Sequence, residues 1–484
     1  MTSTSDTHHA QQVSPGAFNV ERHFYERVQN AQLHPVVSFF FTLSTERILE
    51  RYLHLNPHVD RESLQDVLWY KPKYLPWAGA DLFHVTSARG RKKMVVIETN
   101  SCPSGQKSTP AYLEHEERGG YLRLMQETFA PALKGKRLPR GGLAMVYDKN
   151  PMEATGYAAA MADHFQEPVW LAYFAQEDPN PPVKFEAGVM HIRDEEGAWH
   201  PIRAAMRYVT QRPWNRIPVH TQTYILNPTL GCLAGGRNKM VADKAYAWLN
   251  SELANSGLQI NVPETKRDVG KAAVPLAVKE FGGYAVVKIP YSNAGQGVFT
   301  ITNEQELEDF MARDYPYDQF IVQSLIGNAE WSSQFGGERF YHVGTMPNKK
   351  MQTYVADLRM MLSSTPQGFR PLAMYARKAH APLTPVLDET TNSRDQLVTN
   401  LSIKTPDGWD SDTSRLLLMD RKDFNQLGVS LDDLISGFVQ TCLSVVAIDK
   451  LARYLINSKG RFREKTFRSI NNDEALLREI KITS

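Results

Sequence analysis

The chain has 484 residues, 42% of them hydrophobic and 22% charged, enough for two or three domains with large cores. Its 55 Lys and Arg against 53 Asp and Glu leave a net charge of +2, which gives no reason to expect a polyanion or a membrane surface as the main partner. Cys102, Cys232 and Cys442 form no CxxC pair, which argues against a disulfide scaffold or structural zinc and for a reducing cytoplasm.

The opening MTSTSDTHHAQQVSPG is polar, lacks the apolar core of a signal peptide and reads as a disordered tail over 1–18. Apolar spacing predicts helices from about Val20 to Gln65, where VVSFFFTL is too short to span a bilayer and reads as buried. DLFHVTS and MVVIET predict two strands joined by the basic turn ARGRKK, and AYLEHEERGGYLRLMQETFAPAL favours helix, completing a region over 19–135. After the linker KGKRLPRGG, the strand GLAMVYD, the helix ATGYAAAMADHF and the strand VWLAYFAQ predict a small parallel sheet over 138–232. The region 233–484 opens on the helix AGGRNKMVADKAYAWLN. It continues with the strand YAVVKIP, the glycine loop YSNAGQG, a helix with Thr302 and Gln305 at capping-box spacing, and the strand FIVQSLI. ERFYHVGTM, DLRMMLS and FRPLAMYARK predict further strands, and the polar stretch Leu387 to Ser414 has the length of a lid. A long helix, LDDLISGFVQTCLSVVAIDKLARYLI, and a basic tail, more readily solvated than bound to nucleic acid, close the chain.

The stretch VVIETNSCPSG ends an apolar strand in Glu98 and Asn100. Residues two apart on a strand face one side, so an acid and an amide aim oxygen donors at one point. Such a set suits magnesium better than zinc or iron, and Asp81 on the preceding strand could join it. A salt-bridged acid and a turn-starting asparagine before Pro103 and Gly105 fit the same residues. Lys288 ends an apolar strand ahead of Gly295 and Gly297, which supplies a cation and close backbone N–H groups for phosphate oxygens, or else a hairpin turn. Lys239, about fifty residues upstream, reads as a second point on a polyphosphate or as a surface lysine. FIVQSLIGNAEW offers a strand-to-hinge backbone for an adenine edge and Glu330 for ribose hydroxyls.

The order Lys239, Val287-Lys288, glycine loop, FIVQSLIG, Glu330, Asp357-Leu358-Arg359, Arg377, Asn400-Leu401-Ser402 resembles the ATP-grasp enzymes, in which two α+β subdomains clamp ATP. The carboxylate-x-Asn strand, last in most of them, lies here near the N-terminus. This is similar to the circularly permuted branch that includes eukaryotic-type glutathione synthetase. ADLFHVTSARGRKKMVVIETN, with Asp81 and Glu98 seventeen apart, PIRAAMRYVTQR and LAGGRNK carry that resemblance, which covers most of the chain.

The resemblance implies an α/β fold: a permuted ATP-grasp core of α+β subdomains with an inserted small parallel-sheet substrate-binding domain. It implies ATP and Mg2+ as cofactors, and ligation of a carboxylate to an amine through an acylphosphate, on amino-acid or small-peptide substrates. Glu98, Asn100 and Asp81 would hold magnesium. Lys239 and Lys288 would hold ATP phosphates, with Gly295 and Gly297 closing over them. Gln323 and Leu325 would meet adenine and Glu330 the ribose. Arg377, with Lys288, would stabilise the transferring phosphoryl group, and Arg207 would bind a substrate carboxylate, with Ser101, Asp357 and Arg359 beside it. The implied partners are small molecules, with neither nucleic acid nor membrane, and a homodimer is common among related enzymes. Cys102 reads as packing. Ser292 stands where those enzymes carry a metal-binding acid, Gly79 stands where they carry an arginine, and their Ala/Gly-rich substrate loop has no clear equivalent, so a product other than glutathione is expected. A phosphotransferase and a non-catalytic nucleotide-binding homologue are the alternatives.

Overall fold

The structure, a computed structural model, describes residues 9–111, 117–175, 178–209, 214, 216–292, 297–335, 338–387, 391–405 and 408–480. Period-two alternation of apolar and polar residues builds one of its two seven-stranded sheets. The strands run in the order Gln334–Phe335, Glu338–His342, Trp77–Ser87, Ala356–Thr365, Gly368–Lys378, Leu416–Leu417, and Lys93–Asn100 also pairs with Trp77–Ser87. All these pairs are antiparallel. The predicted strands from the front of the chain therefore sit inside a sheet whose other members come from its second half.

One face of this sheet is apolar. Ala80, Leu82, Val96, Leu358, Met360, Met374 and Ala376 pack against Leu434, Phe438 and Cys442 of the helix Leu431–Tyr454 in one core. Asp81, Arg359 and Arg377 alternate with those residues and so face the other way, and the register shift at Ile97, between the pairs Leu82–Val96 and Asp81–Glu98, turns Glu98 to that side as well. The helix begins in a reciprocal cap between Ser430 and Asp433. It is long and apolar enough to cross a membrane, yet 78% of its apolar window is buried inside the fold, as in a core helix.

A second, four-stranded antiparallel sheet runs Thr265–Gly270, Gln319–Ser324, Ala285–Lys288, Val298–Ile301, over a core of its own that includes Val287, Phe310 and Phe320. The helix beside it spans Glu304–Met311 and is capped by Asn303, which accepts from the Glu306 N–H, one residue later than the spacing of Thr302 suggested. Asparagine outranks threonine as a cap, and the Glu306 carboxylate turns back to the Thr302 N–H and hydroxyl.

In the third sheet, Val169–Tyr173, Gly142–Tyr147, Trp199–Tyr208 and Tyr224–Leu226 are parallel neighbours, with the helix Pro151–Phe165 as the crossover. Val189–Arg193 and Val183–Glu186 extend one side antiparallel. The other edge corrects the expected tail: Gln11–Val13 pair antiparallel with Val169–Tyr173. The basic tail also differs from a solvated end, because the helices Glu464–Ile470 and Glu474–Ile480 place Phe467, Leu476 and Leu477 in the main core. The polar stretch from Leu387 holds a short helix, Ser393–Leu397, and a hairpin of Ser402–Thr405 with Gly408–Ser411; its residues 388–390 and 406–407 lie outside the described residues.

Candidate active site

The strand Lys93–Asn100 splits its last side chains between two environments. Thr99 turns to the core, bonded to Ser444 on the long helix at 3.0 Å and to the Tyr246 hydroxyl at 2.7 Å. Glu98 and Asn100 consequently share the opposite face. Glu98 sits across from Asp81, and Asn100 across from Gly79, where a Cβ would lie 2.9 Å from that of Pro103. The side-chain nitrogen of Asn100 is buried without a hydrogen-bond partner among the described residues. The Glu98 carboxylate and the Asn100 amide oxygen at one strand end form a hard oxygen donor set, and the unpaired Asn100 N–H2 is a donor for an anion such as a phosphate oxygen. Magnesium commonly takes one or two such protein groups and completes its shell with water and phosphate, so the residues fit it.

Beside them runs a ladder of buried charge. Asp81 accepts from Arg359 Nε at 2.6 Å and Nη2 at 2.7 Å, and from Arg377 Nη2 at 2.9 Å. Arg377 Nε donates to Asp357 Oδ1 at 2.9 Å, and its Nη2 also reaches the other Asp357 oxygen. Burial alone would raise the Asp81 pKa, but the Arg359 and Arg377 charges and their hydrogen bonds outweigh it and hold the carboxyl well below the usual range. A carboxylate offers about four lone-pair positions and three are in use here, so a cation would find at most the last one. Asp357 and Arg359 lie one strand over from Lys93–Asn100, with Trp77–Ser87 between them, as members of this ladder.

The two lysines come from other elements, the helix Lys239–Glu252 and the strand Ala285–Lys288. The Lys239 ammonium lies 3.4 Å from Glu98 Oε1 and donates to the Ser292 carbonyl at 2.8 Å. Lys288, at the end of Ala285–Lys288, is buried within electrostatic reach of Glu98, Lys239, Asp81 and Asp243. Burial pushes its ammonium down to about 8, with Lys239 adding to the effect and Glu98 opposing it. Gly297 accepts from the Ile289 N–H at 2.8 Å, and a Cβ on it would come 2.8 Å from that of Ile289, so the loop can close only on glycine. Gly295 lies outside the described residues.

Of the three residues expected at the nucleoside, two have their groups committed. Gln323 donates to the Thr265 hydroxyl at 2.9 Å, and the Leu325 N–H and C=O both pair with Ser333. Glu330 is exposed on the turn after the strand, its carboxylate without a hydrogen-bond partner among the described residues.

Arg207, expected to bind a substrate carboxylate, is 2% exposed. Its guanidinium donates to the Asn227 carbonyl at 2.7 Å, to the Val209 carbonyl and to Cys232 Sγ at 3.0 Å, which makes it a pin inside the parallel-sheet unit. Ser101 is equally enclosed. Its hydroxyl lies 3.1 Å from Cys232 Sγ and its N–H donates to Gly236.

Two residues that the sequence reading passed over stand at the junction of the sheets. Glu153, fully buried in the first turn of Pro151–Phe165, accepts from the Ser104 hydroxyl at 2.7 Å and from the Gly105 and Gln106 N–H groups at 2.9 Å each. It clamps the loop that follows Lys93–Asn100. Glu153→Leu leaves three buried donors unpaired and is expected to cost roughly 3 kcal/mol, read as a shift in the denaturant midpoint. Lys149 follows the strand Gly142–Tyr147. Burial, then the like charge of Arg237, lower its ammonium to about 7. A charged Asp-Lys-Asn run at the carboxyl end of a parallel strand, before a proline-started helix, was the available signal for both.

No protein-family model and no curated relative matches the sequence. Among solved structures, the chain is similar to a glutathione synthetase-like effector from Globodera pallida, at 9% identity over 72% of this chain and 86% of that chain, with a TM-score of 0.39. It is also similar to a RimK domain ATP-grasp protein from Sphaerobacter thermophilus, at 15% identity over 48% of this chain and 89% of that one, TM-score 0.28. D-alanyl-alanine synthetase A from Vibrio cholerae is similar at 11% identity over 55% and 95%, TM-score 0.30. These are distant likenesses of fold, and the chemistry rests on the side chains described above.

Proposed function

We propose that the protein is an ATP-dependent carboxylate–amine ligase that forms an amide through an acylphosphate, on amino-acid or small-peptide substrates. One observation carries the reading: an acid from Lys93–Asn100 meets Lys239 at 3.4 Å, with Lys288 buried alongside. Two lysines from separate elements, together with the unpaired Asn100 N–H2, supply donors for a polyphosphate, and Glu98 beside them supplies a charge for its counter-ion.

In this reading Lys239 and Lys288 hold the ATP phosphates, and Lys239 exchanges its contact with Glu98 for one with phosphate. Glu98 and Asn100 would hold magnesium, which supplies charge neutralisation on the polyphosphate. Asp81 serves mainly to orient Arg359 and Arg377. Arg377, through Nη1, is the candidate for the charge that develops on the transferring phosphoryl group. The substrate carboxylate takes that group, an amine then attacks the acyl carbon, and phosphate leaves. The chain's own contribution is positioning and fixed charge. Gln323, Leu325 and Glu330 keep their proposed places at the nucleoside, the first two through rearranged hydrogen bonds. A small-molecule acid and amine as the partners, and the cytoplasm as the compartment, belong to the same proposal.

The test is ADP release with magnesium over a panel of amino acids and dipeptides, with products read by mass spectrometry. An amide product is the expected result. A stable phosphorylated product without an amide would mark a phosphotransferase, and absence of ATP turnover across the panel would count against an enzyme.

Lys288 adds a pH signature. Phosphate binding raises an ammonium pKa that starts at about 8, so ATP binding should take up protons near that pH. The favourable term is complete below the free pKa and is lost as pH rises through the bound one. ATP affinity should therefore fall above about pH 8, and calorimetry in buffers of different ionisation enthalpy reads the proton uptake directly. Proton-neutral binding there would remove Lys288 from the phosphate site.

A further inference from the structure

The parallel sheet ends in a group that the proposed chemistry has not used. Lys149 lies just beyond the carboxyl end of Gly142–Tyr147, the side on which open parallel sheets bind ligands. Its chain neighbours are committed. Asp148 pairs with Arg216 at 2.9 Å, and the Asn150 amide spans the Lys107 ammonium at 3.1 Å and the Tyr208 hydroxyl at 3.2 Å. The Lys149 ammonium itself has no hydrogen-bond or ion-pair partner among the described residues, although it is partly buried.

The charges around it are mostly of its own sign. Arg237 and Arg359 act on it, and Asp148 and Cys102 oppose them. Arg237 reaches the Cys102 carbonyl at 3.5 Å, in the loop that follows Lys93–Asn100, and Arg359 is bound to Asp81. The bond of the adjacent Asn150 to Lys107 sets Lys149 beside the loop that follows Lys93–Asn100, on the parallel-sheet side of it. A half-buried ammonium facing two guanidinium groups, with the nearby carboxylates engaged elsewhere, is an unfavourable arrangement until an anion enters.

We propose that Lys149, flanked by Arg237 and Arg359, is the subsite for an anionic group of the acid substrate, the task that the sequence had suggested for the enclosed Arg207. The substrate class is a small molecule bearing a carboxylate or phosphate at the end that contacts the parallel sheet. This rests on the ligase reading for the word substrate, while the anion site itself does not.

The experiment uses the full chain loaded with magnesium and a non-hydrolysable ATP analogue, so that the polyphosphate site is filled. Succinate and inorganic phosphate are then titrated separately by calorimetry. At least one should bind, the better of the two naming the chemistry, and Lys149→Met should weaken it by about tenfold or more. Lys149→Arg should keep most of the binding and so separates charge from packing. Equal binding to wild type and Lys149→Met, or no binding of either anion to wild type, overturns the proposal. Failure of the ATP analogue to bind, with anion binding still dependent on Lys149, would sink the ligase reading and leave this site standing.

Discussion

Glu98→Gln should lower ATP turnover by about a hundredfold to a thousandfold, the range seen when one preorganised charge-stabilising group is removed, while the protein stays folded. The substitution keeps the shape and one oxygen but removes the negative charge. That charge faces Lys239 at 3.4 Å and lies within reach of Lys288, so its loss leaves two ammonium groups without their nearest unshared counter-charge. The carboxylate is 23% exposed, so the ion pair adds at most about 1 kcal/mol to stability and the denaturant midpoint should barely move. Substrate-free ATP affinity separates the readings. If Glu98 acts through magnesium, raising the metal concentration should recover part of the rate. A Glu98→Gln protein with wild-type turnover would end the assignment of this strand to the reaction.

Asp81→Asn should instead be read in the fold. Its carboxylate is the shared acceptor of Arg359 and Arg377; Asp81 and Arg377 are buried and Arg359 is partly so. Removing one partner of a buried ionic group leaves charge without compensation, a loss of roughly 3–5 kcal/mol. The measurement is urea unfolding of the protein free of ATP and metal, which excludes a contribution from either. Adding Arg359→Met in the same chain should recover part of the loss, because one of the stranded charges is gone. If Asp81→Asn matched wild type in that state, the ladder would have no structural role. The pH dependence follows from the depressed Asp81 pKa. The stabilisation is fully present above the unfolded-state value of about 4 and drains away as pH falls below it toward the lower folded value. The variant's stability should therefore converge on wild type in acid.

The features legible from sequence were those set by local pattern. Strand alternation placed Glu98 and Asn100 on one face, and of the two lysines read as points on a polyphosphate, Lys239 meets Glu98 and Lys288 lies within its electrostatic reach. Arg207 shows the limit. An arginine on a strand reads the same whether its guanidinium meets a ligand or a ring of carbonyls, and that is decided by Asn227, Val209 and Cys232 folding over it. Glu153 carried no pattern at all, since its partners are backbone N–H groups in a loop nearly fifty positions away. Gln11–Val13 were misread for a related reason. An edge strand is stabilised by its neighbour's free hydrogen-bonding groups, which composition does not record.

Asp81 and Arg359 are bonded across 278 positions of chain. During synthesis the acidic strands leave the ribosome first and must wait for Ala356–Thr365, Gly368–Lys378 and the helix Leu431–Tyr454 before their sheet can close. Loop-closure entropy is therefore met late and all at once, which favours slow folding and exposes unpaired strand edges in the interval. A nascent chain halted before those elements would display the acid and amide with no lysine-bearing site to complete them.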